Sequence, residues 1–278
     1  MDRGHEPEDS QDFPTEEDRA RAIRTRKGII EREVVGAIRF NFTSLQHSGF
    51  LDEFWTLVMR VGFTRDFFTI PVHHRAYAAI TSEFFSTVHY YSGSAQGDHP
   101  EPYIGFYLGG ARYTLTMHTL RTLLHLPTEF QLESYTFPEG PDGVPVITLA
   151  GFWSQISHTP YADDRIGQIS RPALRFIFRA LSATIYARGE TYIRPLDQEL
   201  QLLYHILRPD AQVHDLTYYM VEHWMGLQKG KRNTGGLHGG FYVSLIASHL
   251  GVPLGEDMID ETIWDLASLN SLLPIFKA

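Results

Sequence analysis

Four groups of residues have types and spacings that chemistry uses. The first is Tyr161-Ala162-Asp163-Asp164, the YxDD string with which template-copying polymerases hold catalytic metal ions at a hairpin tip. Such a string needs a strand on each side. Pro160 precedes it, and neither QISHT nor RIGQI alternates as a strand would. The residues therefore predict a surface turn ahead of a helix start at Ser170-Arg171-Pro172. The second group is the glycine-rich run GLQKGKRNTGGLHGG. A phosphate loop requires Gly, four residues, then Gly-Lys-Ser/Thr. Here Gly226 stands only three residues before Gly230, and Arg232 follows Lys231. Gly235, Gly236, Gly239 and Gly240 are expected to close one helix and open the next. A basic loop carrying Lys229, Lys231 and Arg232 would then be free to meet an anion through backbone N–H groups and a helix N-terminus.

The third group is the 14 histidines. His73 and His74 are adjacent and cannot share a helix face, and no HExxH occurs. His118 and His125 fall two turns apart on one expected face, where Leu124 and Leu126 point to packing. His223 lies in an apolar stripe. No metal site is predicted. No catalytic set is predicted either: GxSxG, DTG and DSG are absent. With no cysteine, thiol catalysis, thiolate zinc sites, Cys-rich zinc knuckles and disulfides are excluded. No cofactor is expected. The fourth group is cationic. Arg19, Arg21, Arg24, Arg26, Lys27 and Arg32 follow an acidic leader, and the plainest account of them is a solvated helix face. Arg24, Arg26 and Lys27, with Arg175 and Arg179 outside a helical stripe and Lys229, Lys231 and Arg232, are the candidate contacts to nucleic acid or another anion.

Composition limits that last idea. A net charge of −9 and a pI near 5.8 repel phosphate backbones on average, so such binding has to be local. Aromatics at 13% favour a packed chain. No apolar run approaches the roughly 18 residues of a membrane span, so no membrane partner is expected. The opening MDRGHEPEDSQDFPTEED is neither a secretory nor a transit signal. The protein is expected to be intracellular, in nucleus or cytoplasm.

The elements that must position these groups read mainly as helices. Apolar spacing predicts helices over Phe50–Val61, from Pro71 to about Val88, over Leu149–Ile156, Pro172–Arg188, Asp197–Leu207, Leu216–Leu227 (with Asp215 as cap), Gly240–Leu250 and Asp260–Leu272. The clearest local signal is YIGFYL-GG-ARYTLT. A Gly109-Gly110 turn pairs Leu108 with Ala111, Phe106 with Tyr113 and Ile104 with Leu115, three apolar pairs on one face. Thr116 then caps a helix running to Leu126, stapled by Leu115 and Leu120 and stopped by Pro127. The expected fold is mainly α with a minor β part: a helical globule with one β-hairpin around 103–115. Residues 1–34 read as an acidic and then basic tail, partly disordered. Residues 35–278 read as the helical domain, with a candidate internal boundary at the Pro/Gly loop near 137–147.

Much of this text is similar to one family. GFTRDFFTIPVHHRAYAAITSEFFSTV, YIGFYLGGARYTLTMHTLRTLLHLP, ISRPALRFIFRALSATIYARGE, LYHILRPDAQVHDLTYYMVEHWM and GGLHGGFYVSLIASHLGVPL resemble the first-open-reading-frame protein of Athila-type plant retrotransposons. The resemblance spans about residues 35–255 and consists of aromatic, Leu and Gly positions. The hairpin-helix unit is more weakly similar to the plant mobile domain. The resemblance implies origin in a gypsy-class element and a Gag-region role in particle assembly or element RNA handling. It carries over no catalytic residues. The text stops at SLLPIFKA soon after its last expected helix, as a piece of a longer polyprotein would. The leading expectation is a non-enzymatic structural or interaction module that associates with itself or with other element-encoded proteins. One alternative is a nucleic-acid-binding transposon protein using local basic patches. Another is an enzyme of transposase type.

Overall fold

The computed structural model describes residues 28–29, 32–36, 38–40, 42–93, 100–128, 147–161, 166–186, 194–208, 215–229, 236–260 and 262–264. In chain order these form β1 (Ile38–Phe40), α1 (Phe42–His47), α2 (Leu51–Val58), α3 (Arg65–His73), β2 (Ala76–Tyr77), α4 (Ala78–Thr87) and β3 (His89–Tyr91). They continue with β4 (Tyr103–Leu108), β5 (Ala111–Thr116), α5 (Met117–Leu123), α6 (Leu149–Ile156), α7 (Pro172–Ala183) and α8 (Asp197–Leu207). The last are α9 (Leu216–Lys229), α10 (Gly240–Leu250), β6 (Met258–Ile259) and β7 (Thr262–Trp264). The protein is mainly α with a minor β part, as its sequence implies.

The chain divides into two compact units, each gathered from separated stretches. One unit holds the described residues up to 36, Thr69–Thr128 and Leu216–Thr262. Its sheet is the antiparallel meander β3-β4-β5. Gly109 and Gly110 take φ of 61° and 78°, the doubly positive turn that only such residues adopt without strain. The register that follows is the one the apolar pattern dictates, with Ile104, Phe106 and Leu108 opposite Leu115, Tyr113 and Ala111. The hairpin gains a third strand because Tyr90 pairs with Ile104. Phe84 of α4 packs 4.9 Å from Phe106 and 5.5 Å from Trp224 of α9, ring centre to ring centre. Tyr242 of α10 lies 6.1 Å from Trp224.

α4 sits at the centre of this unit, and its ends are tied down by distant residues. At its start the Asp257 carboxylate accepts from Ala79 N–H at 2.6 Å, while β6 pairs with β2. At its end Gln228 of α9 donates to the carbonyls of Phe85 and Val88. These are the caps that orphaned helix termini require. Thr87 Oγ1 accepts from Tyr107 N–H where β3 no longer flanks β4, so a side chain extends the ladder. α10 packs against the same helix. A Cβ on Gly240 would lie 2.6 Å from Thr81 Oγ1 and 2.7 Å from Ala76 Cβ.

The other unit holds Ile38–Phe68, the described residues from 129 to 215, and Ile263 and Trp264. Its core is aromatic. Phe54 packs at 4.9 Å from Trp55, 5.5 Å from Phe68 and 5.2 Å from Phe176 of α7, in edge-to-face geometry. Every residue of α7 from Ala173 to Ala183 is buried. α8 starts without a polar N-cap residue. Instead Glu199 in its first turn reaches back to Leu196 N–H at 2.7 Å and accepts from Ser182 of α7 at 2.7 Å.

Several expected boundaries differ, among them the helix after the hairpin, which ends at Leu123 rather than Leu126. Pro71 does not open a helix but lies in the last turn of α3, where burial of Phe67, Phe68 and Ile70 outweighs its lost N–H. α7 stops at Ala183 rather than Arg188. Asp260–Leu272 is not one helix: Thr262–Trp264 is a strand paired with β1, and β-branched Thr262 and Ile263 with aromatic Trp264 suit that state. The 137–147 loop lies outside the described residues apart from position 147.

Candidate functional site

Of the expected contact residues, Arg24, Arg26, Lys27, Lys231 and Arg232 lie outside the described residues. Lys229 is the last residue of α9. Arg175 and Arg179 differ from expectation. They are 1% and 8% exposed, inside the unit rather than on its outer face. α7 is packed on every side, so the positions flanking its apolar stripe also face protein. Arg175 donates from Nε to the Ile169 carbonyl, and burial lowers its pKa. This guanidinium serves the fold and is not presented to phosphate.

The carboxylates behave alike. Glu199, fully buried, holds Ser182 and the start of α8. Glu83 accepts from both turn amides, Gly109 N–H at 2.6 Å and Gly110 N–H at 2.9 Å. Asp257 caps α4. The Tyr161 hydroxyl donates to Asp197 at 2.9 Å. Ala162, Asp163 and Asp164 lie outside the described residues, but their flanks are the end of α6 and a short 3-10 turn at Ile166–Gln168, joined by a single bridge from Ser157 to Ile169. Two paired strands would be needed to aim a YxDD tip.

The glycine-rich run ends on a built structure. Leu237 forms a parallel bridge with Val34, and Arg32 donates to the Gly236 carbonyl at 3.0 Å. Gly239 has φ 89° and precedes α10. His238, between them, is held as a neutral imidazole. Burial first, and then the nearby Arg32 charge, push its pKa down to about 4. His125 leaves α5, takes φ 54° and so does not share a face with His118. It stands near His74, whose pKa is lowered by burial and then by His73 and His125. No group of three or more His, Cys, Asp or Glu able to hold a metal occurs among the described residues.

A groove and a cleft lie among the described residues. In the first unit, a groove of about 580 Å³ runs along Ala78, Ala79 and Ser82 of α4, with Arg32, Glu83 and Asp257 at its sides. Glu83 and Asp257 are committed to backbone amides, and Glu33 adds a third carboxylate to the lining. In the second unit, a cleft of about 350 Å³ lies where the start of α7 meets the end of α8 beside α6. Phe152, Leu174 and Tyr204 line it, Arg171 and Arg208 bring two positive charges, and none of the described lining residues is acidic. Arg171 pairs with Glu53 yet keeps 56% of its side chain exposed. With two guanidiniums at its rim, this cleft is equipped to take an anionic ligand. Sequence reasoning passed over both arginines because they end helices whose meeting point no local pattern records.

Fold and site define a mainly helical protein whose interior charges hold its own backbone and which carries a basic cleft. The chain matches the ATHILA ORF-1 family over residues 39–273 and belongs to it. It is a retrotransposon-associated protein of a plant transposable element. No curated protein and no solved structure matches it. No helix among the described residues is long and apolar enough to cross a membrane.

Proposed function

We propose that this protein is a non-enzymatic structural and interaction module of its retrotransposon, acting as Gag-region proteins do in assembly and in handling element RNA. The supporting observation is how its carboxylates are used. Glu83, Glu199 and Asp257 each bind backbone amides at a turn or helix start. Although Glu83 and Asp257 border one groove with Glu33, no group of three or more such side chains able to hold a metal ion, as strand transfer requires, occurs among the described residues. Family membership supplies the setting. The partners are further copies of the chain, other element-encoded proteins and element RNA.

Sedimentation velocity over a wide concentration range tests the assembly half. The expected outcome is a weight-average sedimentation coefficient that rises with concentration. A protein that stays monomeric throughout, and that retains no element-encoded partner from cell extract, would refute it.

A further inference from the structure

We propose that the cleft among α6, α7 and α8 binds a single nucleotide, with its phosphate between Arg171 and Arg208 and its base against Tyr204, which Phe152 backs. The proposal rests on the RNA-handling half of the function given above and names the site that would perform it.

Charge is the first argument. Two guanidiniums face one cavity of a chain whose net charge is −9. A terminal phosphate monoester carries about −1.5 to −2 charges at neutral pH and so matches two cations better than a single carboxylate does, while a diester within an RNA chain carries one charge and can still bridge both guanidiniums. Glu53 engages a single nitrogen of Arg171, so the other donors of that guanidinium remain to be offered. Planar guanidinium forks suit phosphate oxygens.

Shape is the second. The rings of Phe152 and Tyr204 meet edge to face, with centres 5.4 Å apart and planes at 87°. Phe152 is buried while Tyr204 is half-buried, so Tyr204 is the ring of the pair with surface to offer a flat base, and Phe152 backs it. Leu174 adds an apolar wall, and Gln155 supplies both a donor and an acceptor for a base edge or ribose hydroxyl. At about 350 Å³ the cleft is near the lower end of small-ligand sites, which favours one nucleotide over two.

The test uses the full-length protein and calorimetry with adenosine monophosphate, adenosine, inorganic phosphate and a short single-stranded RNA. The nucleotide should bind more tightly than either of its parts. Arg171→Gln with Arg208→Gln should weaken it by at least about tenfold, and Tyr204→Leu should weaken the nucleotide while leaving phosphate unchanged. Arg208→Lys, which keeps charge and loses the fork, should fall between wild type and the double variant. Circular dichroism matching wild type shows that these variants fold. If RNA binds and competes with the nucleotide, the ligand is a nucleotide of an RNA chain. If the nucleotide binds and RNA does not, the cleft stands and takes free nucleotides, while the RNA-handling reading fails. If RNA binds equally well to the double variant, that reading survives and the cleft assignment is overturned. Phosphate binding as tightly as the nucleotide, an acidic peptide displacing it, or no nucleotide binding at all would each overturn the assignment too.

Discussion

At the scale of single residues, His238 gives the protein an acid sensitivity that can be measured. In the unfolded chain its imidazole takes up a proton near pH 6.5, whereas the folded protein refuses that proton until about pH 4. Stability from this group is complete above pH 6.5 and drains away as pH falls towards 4, by up to about 3 kcal/mol. His74, shifted the same way by burial and by His73 and His125, adds to the loss. Urea unfolding at pH 7.5 and pH 5 should show the wild type losing more stability than His238→Gln does. Equal losses in the two proteins would reject this account. Little of it was legible in the sequence. His238 sits in a glycine-rich run that reads as a linker, and its partner Arg32 is 206 positions away by numbering. Arg175 makes the same point: beside an apolar stripe a cation is expected in water, and only the Ile169 carbonyl explains why it is inside.

At the scale of elements, the same residue type does two different jobs. Gly110 has φ 78° and open space around its Cβ position, so its role is backbone conformation alone. Gly240 is helical, and its role is to let α10 approach Thr81 and Ala76. Gly110→Ala should cost about 1–2 kcal/mol, and Gly110→Asn should recover much of that because Asn tolerates the left-handed region. Gly240→Ala should cost about 1–3 kcal/mol through overpacking, and no larger side chain should rescue it. Thermal melts of the four proteins check both statements. Asn at position 110 proving no better than Ala would show that the turn is limited by something other than φ. Glu83→Ala belongs to this scale as well. It removes the acceptor shared by Gly109 and Gly110 N–H, for a loss of about 1–3 kcal/mol, with slower refolding if the turn forms early. The hairpin itself was legible because turn chemistry and alternation fixed one register from neighbouring residues. The third strand was not, since His89–Tyr91 is too short to alternate and pairs only through Tyr90 and its neighbours against β4. The basic cleft was hidden for a related reason: α6, α7 and α8 could each be read from their own spacing, but not where their ends meet.

At the scale of the whole molecule, the interleaving of the two units decides how the chain can be divided. A Pro/Gly loop near 137–147 is where a sequence reader would cut, and for a chain folded in series that cut would yield two stable halves. Here it would strip the first unit of Leu216–Thr262. Phe84 and Phe85 would lose Trp224, the start of α4 would lose Asp257, and its end would lose Gln228. The second unit would lose Ile38–Phe68, and with it Phe54, which packs on Phe176, and Trp55, which packs on Phe54. Removing a buried large aromatic alone costs about 3–5 kcal/mol, which is most of the 5–15 kcal/mol that holds a typical domain together. Fragments 1–136 and 148–278 should therefore each lack a cooperative melt and fixed near-ultraviolet aromatic signals. Mixed together, they should regain both, because every missing element is supplied by the partner fragment. A fragment 1–136 that melts cooperatively by itself would show that Leu216–Thr262 is dispensable to the first unit and that the fold is serial after all.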